Sequence, residues 1–286
     1  VTKSGFPKIL PGIFLVFTVI VVSGLTVHLF VSRHRGEAAS VADPKARNRE
    51  EPAPRPARGR LAVVIDDGGY DNRALDDFLR FPGPLAVSVL PGLPGSGEAA
   101  EKIRAAGKEL LLHLPMEALG GEDPGPGAVL GGMDDETARK LVVSHIASLP
   151  GVVGANNHMG SRGTADPRLM SVVLGALKEK SMFFLDSRTT PSSVGRRVAE
   201  SLGLPFLERG VFLDNETDKA SIREALTRGK TLADTRGHAV MIGHVWCSEL
   251  AEVLLEVYPE LLDEGYRFYP LTELLQGDSP DDGAGN

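Results

Sequence analysis

Two adjacent acids, Asp66 and Asp67, end a short apolar run and are followed by Gly68 and Gly69. Other apolar runs lead into His113 (with Glu117 shortly after), Asn156-Asn157-His158-Met159-Gly160-Ser161-Arg162, Asp186-Ser187-Arg188, Asp214-Asn215 and His244. Paired carboxylates behind a buried strand are costly unless a cation or hydrogen-bond donors compensate them. One carboxylate with two neutral imidazoles is a donor set that suits zinc and related divalent ions. The second carboxylate can then take a proton from water, and a further histidine, His244, can protonate a leaving group. Metal-assisted hydrolysis of an amide or ester requires those parts. Each motif also has an ordinary reading. Asp-Asp-Gly makes turns with helix caps, a lone His113 between leucines can be a hydrogen-bonded core residue, Asp186 and Arg188 can form an ion pair, and Asp214 can be a cap. His145 on a helical pattern and His238 before a strand read as structural, and Cys247 reads as packing.

The elements that must position these groups follow from hydrophobic periodicity. Apolar, β-branched runs predict strands at 61–65, 85–90, 109–112, 152–155, 182–185, 211–213 and 239–242, with a weaker one at 266–269. Helical patterns separate most of them, at 72–80, 97–106, 134–149, 166–180, 192–202, 219–235 and 249–264. Leu75, Phe78 and Leu79 lie at helical spacing, as do Leu169, Val172, Val173 and Leu177. Asp166 before Pro167 is an N-cap and N1 pair, and Gly107 and Gly203 stand where helices should stop. Strands alternating with helices imply a parallel sheet, and the number of units suits a closed barrel, whose active site lies at the carboxyl ends of its strands. The polar strand ends then converge on one site. Residues 118–133, rich in glycine and proline, form a long loop of the kind that is usually functional.

The chain has 286 residues, 42% hydrophobic and 24% charged, which suffices for a sizeable core. Its formal net charge of -7 argues against nucleic acid as a partner. The single cysteine excludes an internal disulfide and a cysteine-rich zinc site. Residues 9–31 are apolar with no acid or base but His28, and Lys3, Lys8, Arg33 and Arg35 flank them. About 20 apolar residues cross a bilayer core, so residues 1–32 read as an uncleaved transmembrane anchor. Residues 33–60, rich in Pro, Ala, Arg and Glu, read as a disordered tether, 61–276 as the folded barrel, and 277–286 as a flexible tail.

Several stretches together resemble the divergent polysaccharide deacetylases: Val64-Ile65-Asp66-Asp67-Gly68-Gly69-Tyr70, Leu112-His113-Leu114-Pro115-Met116-Glu117, Asn156-Asn157-His158-Met159-Gly160-Ser161-Arg162, Phe184-Leu185-Asp186-Ser187-Arg188-Thr189-Thr190 and Val211-Phe212-Leu213-Asp214-Asn215. The Asn-Asn-His-Met-Gly-Ser block is the specific one. The resemblance implies an α/β fold, a distorted (β/α)7 barrel of the glycoside hydrolase/deacetylase type. It also implies roles: Asp66 as catalytic base, Asp67 as metal ligand with His113, and His244 as catalytic acid. The family's second histidine ligand is replaced by Glu117, so His158 is expected to complete the set. The arginine that orients the base is not recognisable, which leaves Arg162 or Arg188 for that task. Asn157, Ser161, Asp186 and Asp214 are expected to support the site or bind substrate. The implied cofactor is a divalent metal, zinc foremost. The implied partner is an acetylated polysaccharide or peptidoglycan-like glycan. The implied location is the bacterial inner membrane, with the folded domain in the periplasm or outside the cell. Two other readings stand beside this one: a noncatalytic glycan-binding or regulatory envelope protein using the same cleft, and a metal-dependent phosphoesterase. The latter needs a second metal about 4 Å from the first, and the chain is poor in further carboxylate clusters.

Overall fold

Residues 58–276 are described by a computed structural model. In chain order they form β1 (Arg60–Gly68), α1 (Asn72–Leu79), β2 (Ala86–Val89), α2 (Ser96–Ala105), β3 (Glu109–Met116), α3 (Asp135–Ser148), β4 (Gly154–Met159), a 3-10 turn (Gly163–Ala165), α4 (Pro167–Lys178), β5 (Phe183–Asp186), α5 (Gly195–Leu202), β6 (Phe206–Glu208), β7 (Val211–Phe212), α6 (Lys219–Arg236), β8 (His238–His244), α7 (Ser248–Asp263), β9 (Arg267–Phe268) and α8 (Leu271–Leu274). Four of these helices start where a short polar side chain caps them. Asp71, Asp134, Asp166 and Asp218 each accept backbone N–H bonds at an N-terminus.

The nine strands form one sheet in the order β6-β5-β4-β3-β2-β1-β8-β7, with β9 beside the start of β1, and the pairings are parallel. The two ends of this path, β6 and β7, are joined in the chain by Arg209 and Gly210 alone. Arg209 N–H still bonds Asp186 O at the β5 side (2.9 Å), while Gly210 N–H bonds Val240 O of β8 (2.8 Å). The sheet must therefore curl until its edges approach, yet β6 and β7 do not pair. The parallel α/β architecture is the one expected, but the closed (β/α)7 ring is not: it is a curled half-barrel with an open seam. Closure needs long edge strands, and these two have three residues and two.

Alternation along the strands separates two cores. Ala62 and Val64, Leu111, Leu185, Val240 and Ile242 fill the concave interior, with Leu271 and Leu274 of α8 below them. Leu61, Val63, Ile65, Val87, Leu110 and Leu112 face the surrounding helices, packing with residues such as Phe78, Ile103 and Leu250. Burying each large aliphatic chain is worth about 1.5–3 kcal/mol. Glu109 ties α8 in place by accepting from Leu271 N (2.6 Å) and Thr272 N (3.1 Å). The opposite end, at the strand carboxyl termini, stays open.

The folded unit takes in Arg58, Gly59 and Arg60, because Arg58 N–H bonds Gly265 O (3.0 Å) and β1 begins at Arg60. The expected anchor at 1–32, the rest of the expected tether and the tail at 277–286 lie outside the described residues. No helix among the described residues is long and apolar enough to cross a membrane.

Candidate metal centre and active site

Strict alternation would send Asp66 and Asp67 to opposite faces of the sheet. Two features prevent this. The register of β1 against β2 shifts between Ile65 and Gly68, and Asp67 has φ 67, in the left-handed region. The bulge re-aims its carboxylate, so that His113 Nε2 lies 3.2 Å from Asp67 Oδ1 and 3.8 Å from Asp66 Oδ2. Glycine follows for a steric reason: a Cβ on Gly68 would come within 3.1 Å of Val89 Cγ2 and 3.2 Å of Ser88 O.

β3 and β4 pair with His113 beside Asn156 and Pro115 beside His158. Since side chains two apart share a face, Asn156 and His158 both point toward His113. His113 Nδ1 donates to Asn156 Oδ1 (2.7 Å), which turns Nε2 toward the Asp67 carboxylate. His158 Nδ1 lies 3.1 Å from that Nε2 and 3.1 Å from Asp67 Oδ1. Asp67 Oδ1, His113 Nε2 and His158 Nδ1 thus make a triangle with edges of 3.1–3.2 Å. Four tetrahedral bonds of about 2.0 Å place ligand atoms roughly 3.3 Å apart. Asp67 Oδ1 is buried and within ion-pair reach of both rings, yet it has no hydrogen-bond partner, because neither contact is directed as a hydrogen bond. An orphaned anionic oxygen facing two imidazole nitrogens fits a divalent cation. Among the described residues this is the one such group of potential ligands.

The charges agree with that picture. Burial opposes ionisation of Asp67, but its contacts with His113 and His158 outweigh burial and hold the carboxyl well below the usual carboxylate range. Burial likewise opposes a charged His113, but Asp66, Asp67 and Asn156 prevail and raise it to about 9 without a metal.

Asn156 also reaches the second acid. Its Nδ2 donates to Asp66 Oδ1 (2.8 Å) and lies 3.3 Å from Ser187 Oγ. Asp66 is only 2% exposed. His244 stands beside Asp66 in the β1–β8 register. Asp214, just past β7, accepts from His244 N–H (2.7 Å) and lies 3.0 Å from His244 Nδ1. That contact puts the proton on Nδ1 and leaves Nε2 for chemistry. Burial alone would lower the His244 pKa, but Asp214, Asp66 and Asp67 raise it. The His244 ring stacks on Phe212 and on Trp246, and Trp246 Nε1 donates to Asp67 Oδ2 (3.2 Å).

The structure brings together Asp66, Asp67, His113, His158, His244 and Asp214. The remaining candidates hold loops instead. Asn157 faces away from His113, bonding Met159 O (2.6 Å) and Ser187 N–H (2.9 Å). Asp186 also lies on the helix-facing side and accepts from Ser193 Oγ (2.5 Å) and Arg188 N–H (2.7 Å); burial raises its pKa. Glu117 accepts from Gly131 N–H (2.7 Å), and Ser161 Oγ accepts from Leu119 N–H (2.8 Å), so both pin the 118–133 loop. That loop and α3 line an open groove of about 1000 Å³, with Ala118, Leu130, Met133 and Leu141 in its wall. Neither arginine takes the role expected of it. Arg162 pairs with Glu117 (3.4 Å) and Arg188 with Glu208 (3.6 Å), while Asn156 meets the Asp66 carboxylate. Asn156, Ser187 and Trp246 are the site-facing residues the sequence reading passed over. Period-two counting from Leu185 and from His158 finds the first two.

Comparison with known proteins agrees with this architecture. The family model described as divergent polysaccharide deacetylase matches residues 63–275. An uncharacterized protein of Haemophilus influenzae is 33% identical over 188 residues, covering 66% of this chain and 67% of that protein. The uncharacterized protein YibQ of Escherichia coli is 36% identical over 186 residues, covering 65% of this chain and 58% of its own length, which is less than two thirds. Among solved structures, an uncharacterized protein from Agrobacterium tumefaciens superposes with TM-score 0.71 at 22% identity, covering 76% of this chain and 89% of that one. A structure described as a deacetylase with substrate gives TM-score 0.50 at 13% identity, covering 78% and 93%. At these identities the structural likeness shows the fold alone.

Proposed function

The chain belongs to the divergent polysaccharide deacetylase family, and from that premise we propose that it is a metal-dependent hydrolase of acetylated envelope polysaccharide. The observation that carries this reading is the triangle of Asp67 Oδ1, His113 Nε2 and His158 Nδ1, with the orphaned carboxylate oxygen at one corner. Asp67, His113 and His158 would hold the ion, and nitrogen and oxygen donors of this kind favour zinc. When bound, a divalent ion supplies Lewis-acid polarisation of an acyl oxygen and a lowered pKa for water. Asp66, fixed by Asn156, takes the proton that water loses as it attacks the acetyl carbonyl. His244, steadied through Nδ1 by Asp214, delivers a proton from Nε2 to the departing sugar amine or alcohol. Asn156 couples the two halves, because one side chain fixes both a ligand ring and the base.

The apolar run at 9–31 supports a further part of the proposal, anchorage in a membrane. Basic residues flank both of its ends, so a bacterial inner membrane with the folded unit outside the cytoplasm is proposed from the family resemblance alone. The test of function uses the purified full chain with N- and O-acetylated glycan oligomers. Bound zinc with zinc-dependent acetate release, abolished in Asp66→Asn, is the expected result. Glycan binding without acetate release from either substrate class would refute hydrolysis and support a noncatalytic envelope role.

A further inference from the structure

Trp246 is the only tryptophan in the chain. It is 55% exposed, unusual for a residue whose burial can contribute so much apolar area. Two contacts hold it in place. Its ring lies nearly parallel to that of His244, with centroids 5.0 Å apart and 16° between planes. Its indole N–H donates to Asp67 Oδ2 at 3.2 Å. His244 in turn stacks on Phe212 at 5.7 Å and 28°, so three rings form a column that ends at a ligand carboxylate. The two oxygens of Asp67 are therefore in different states. Oδ1 faces His113 and His158 and has no hydrogen-bond partner, whereas Oδ2 is engaged by the indole.

We propose that Trp246 is a positioning residue, one that holds Asp67 as a single-oxygen ligand aligned with His113 and His158 while backing the ring of His244. The proposal rests on the metal-dependent reading given above. A carboxylate can offer either oxygen, or both, to a cation. An N–H on Oδ2 directs its positive end at that oxygen and so disfavours a cation shared by both. A bound ion would then be left to the Oδ1 side, where the two imidazoles converge. Left-handed Asp67 needs such support, since its backbone conformation is one that few residues other than glycine adopt. Outer partners of metal ligands typically set affinity by 10- to 100-fold. Exposure makes Trp246 a convenient target, because removing its N–H disturbs little of the core.

Trp246→Phe keeps an aromatic ring against His244 and deletes the donor. In the full chain, its zinc affinity by chelator competition should fall roughly 10-fold, while the metal-free protein still unfolds in a single cooperative transition. Emission from the sole tryptophan of the unsubstituted protein should change as zinc is added. Zinc bound equally tightly by the unsubstituted protein and Trp246→Phe would overturn the positioning role, as would zinc binding without any emission change. An unsubstituted protein that binds no zinc would instead overturn the metal-dependent reading itself.

Discussion

Replacing Asn156 should harm the site more than replacing any other uncharged residue near it. The side chain is fully buried, and besides a longer bond to Ser187 Oγ (3.3 Å) its amide makes two contacts of opposite sense with ionisable groups, accepting from His113 Nδ1 at 2.7 Å and donating to Asp66 Oδ1 at 2.8 Å. Asn156→Leu preserves approximate volume and removes both. Each buried polar group left unpaired costs about 1–3 kcal/mol, and more when charged. Loss of an acceptor for His113 and a donor for Asp66 therefore destabilises the metal-free protein by on the order of 2–6 kcal/mol, a large share of a typical domain's 5–15 kcal/mol. Urea unfolding of chelator-treated protein measures this. Zinc affinity should also fall about 10- to 100-fold, because the ring of His113 is no longer held with Nε2 toward Asp67. Asn156→Asp separates the two contacts. It keeps an acceptor for His113 but sets a second carboxylate beside Asp66, and two acids so close cannot both ionise. This variant should retain zinc and lose hydrolysis, since the proton trapped between the acids occupies the base. Asn156→Leu with unchanged urea midpoint and zinc affinity would refute the reasoning.

Other perturbations test the remaining parts. Asp214→Asn removes the charge that steadies His244, so acetate release should fall by about 10²- to 10⁴-fold while zinc affinity holds; a parallel loss of zinc would refute the acid assignment. In the metal-free protein His113 is raised to about 9, so its stabilising charge is fully present below an unfolded value near 6.5 and is lost as pH rises through about 9. Zinc must displace that proton, and calorimetry at pH 8 in buffers of different ionisation heat should show close to one proton released per ion; heats that do not depend on the buffer would contradict this. His145 has the opposite sign: burial lowers its pKa, only partly offset by its contact with Gly127 O at 2.7 Å. Its contribution is present above the unfolded value near 6.5 and is lost as pH falls through the lower folded value. Hydrogen-exchange protection across 118–133, taken relative to the intrinsic exchange rate at each pH, should therefore fall on acidification, and His145→Gln should abolish that fall.

Much of the fold was legible because hydrophobic spacing repeats along the chain. The helices at 72–80, 97–106 and 219–235 are observed within a residue or so, since each carries a clear apolar stripe or a capping residue. Phe206–Glu208 escaped notice because three residues after Leu204-Pro205 are too few for any period to register. The open seam escaped for another reason: alternation specifies that strands are parallel, not whether the outermost two bond each other. In the site, residue types pointed to the right strand ends, but the side of the strand decided which residues matter. Asn156 and Asn157, like Asp186 and Ser187, are neighbours of similar chemistry, and in each pair only the first or the second faces the histidines. Counting in twos from the concave residues separates them.

Asp66 and Asp67 are the pair for which counting in twos fails, and the failure is informative. Both belong to the site only because Asp67 leaves the extended region, at a cost of about 1–2 kcal/mol for a residue other than glycine. Such strain persists where surrounding groups over-determine it. Here those groups are identifiable: the narrow space at Gly68 against Val89 and Ser88, the imidazoles of His113 and His158, and the indole of Trp246. The imidazoles and the indole serve no core, and on this strand the convex packing ends at Ile65. The strain is thus placed at the turn from structural strand to chemical site, where two adjacent acids acquire separate tasks. One is bonded by Asn156 and poised for protons; the other offers a bare oxygen to two imidazoles. A single dihedral divides the base from the ligand.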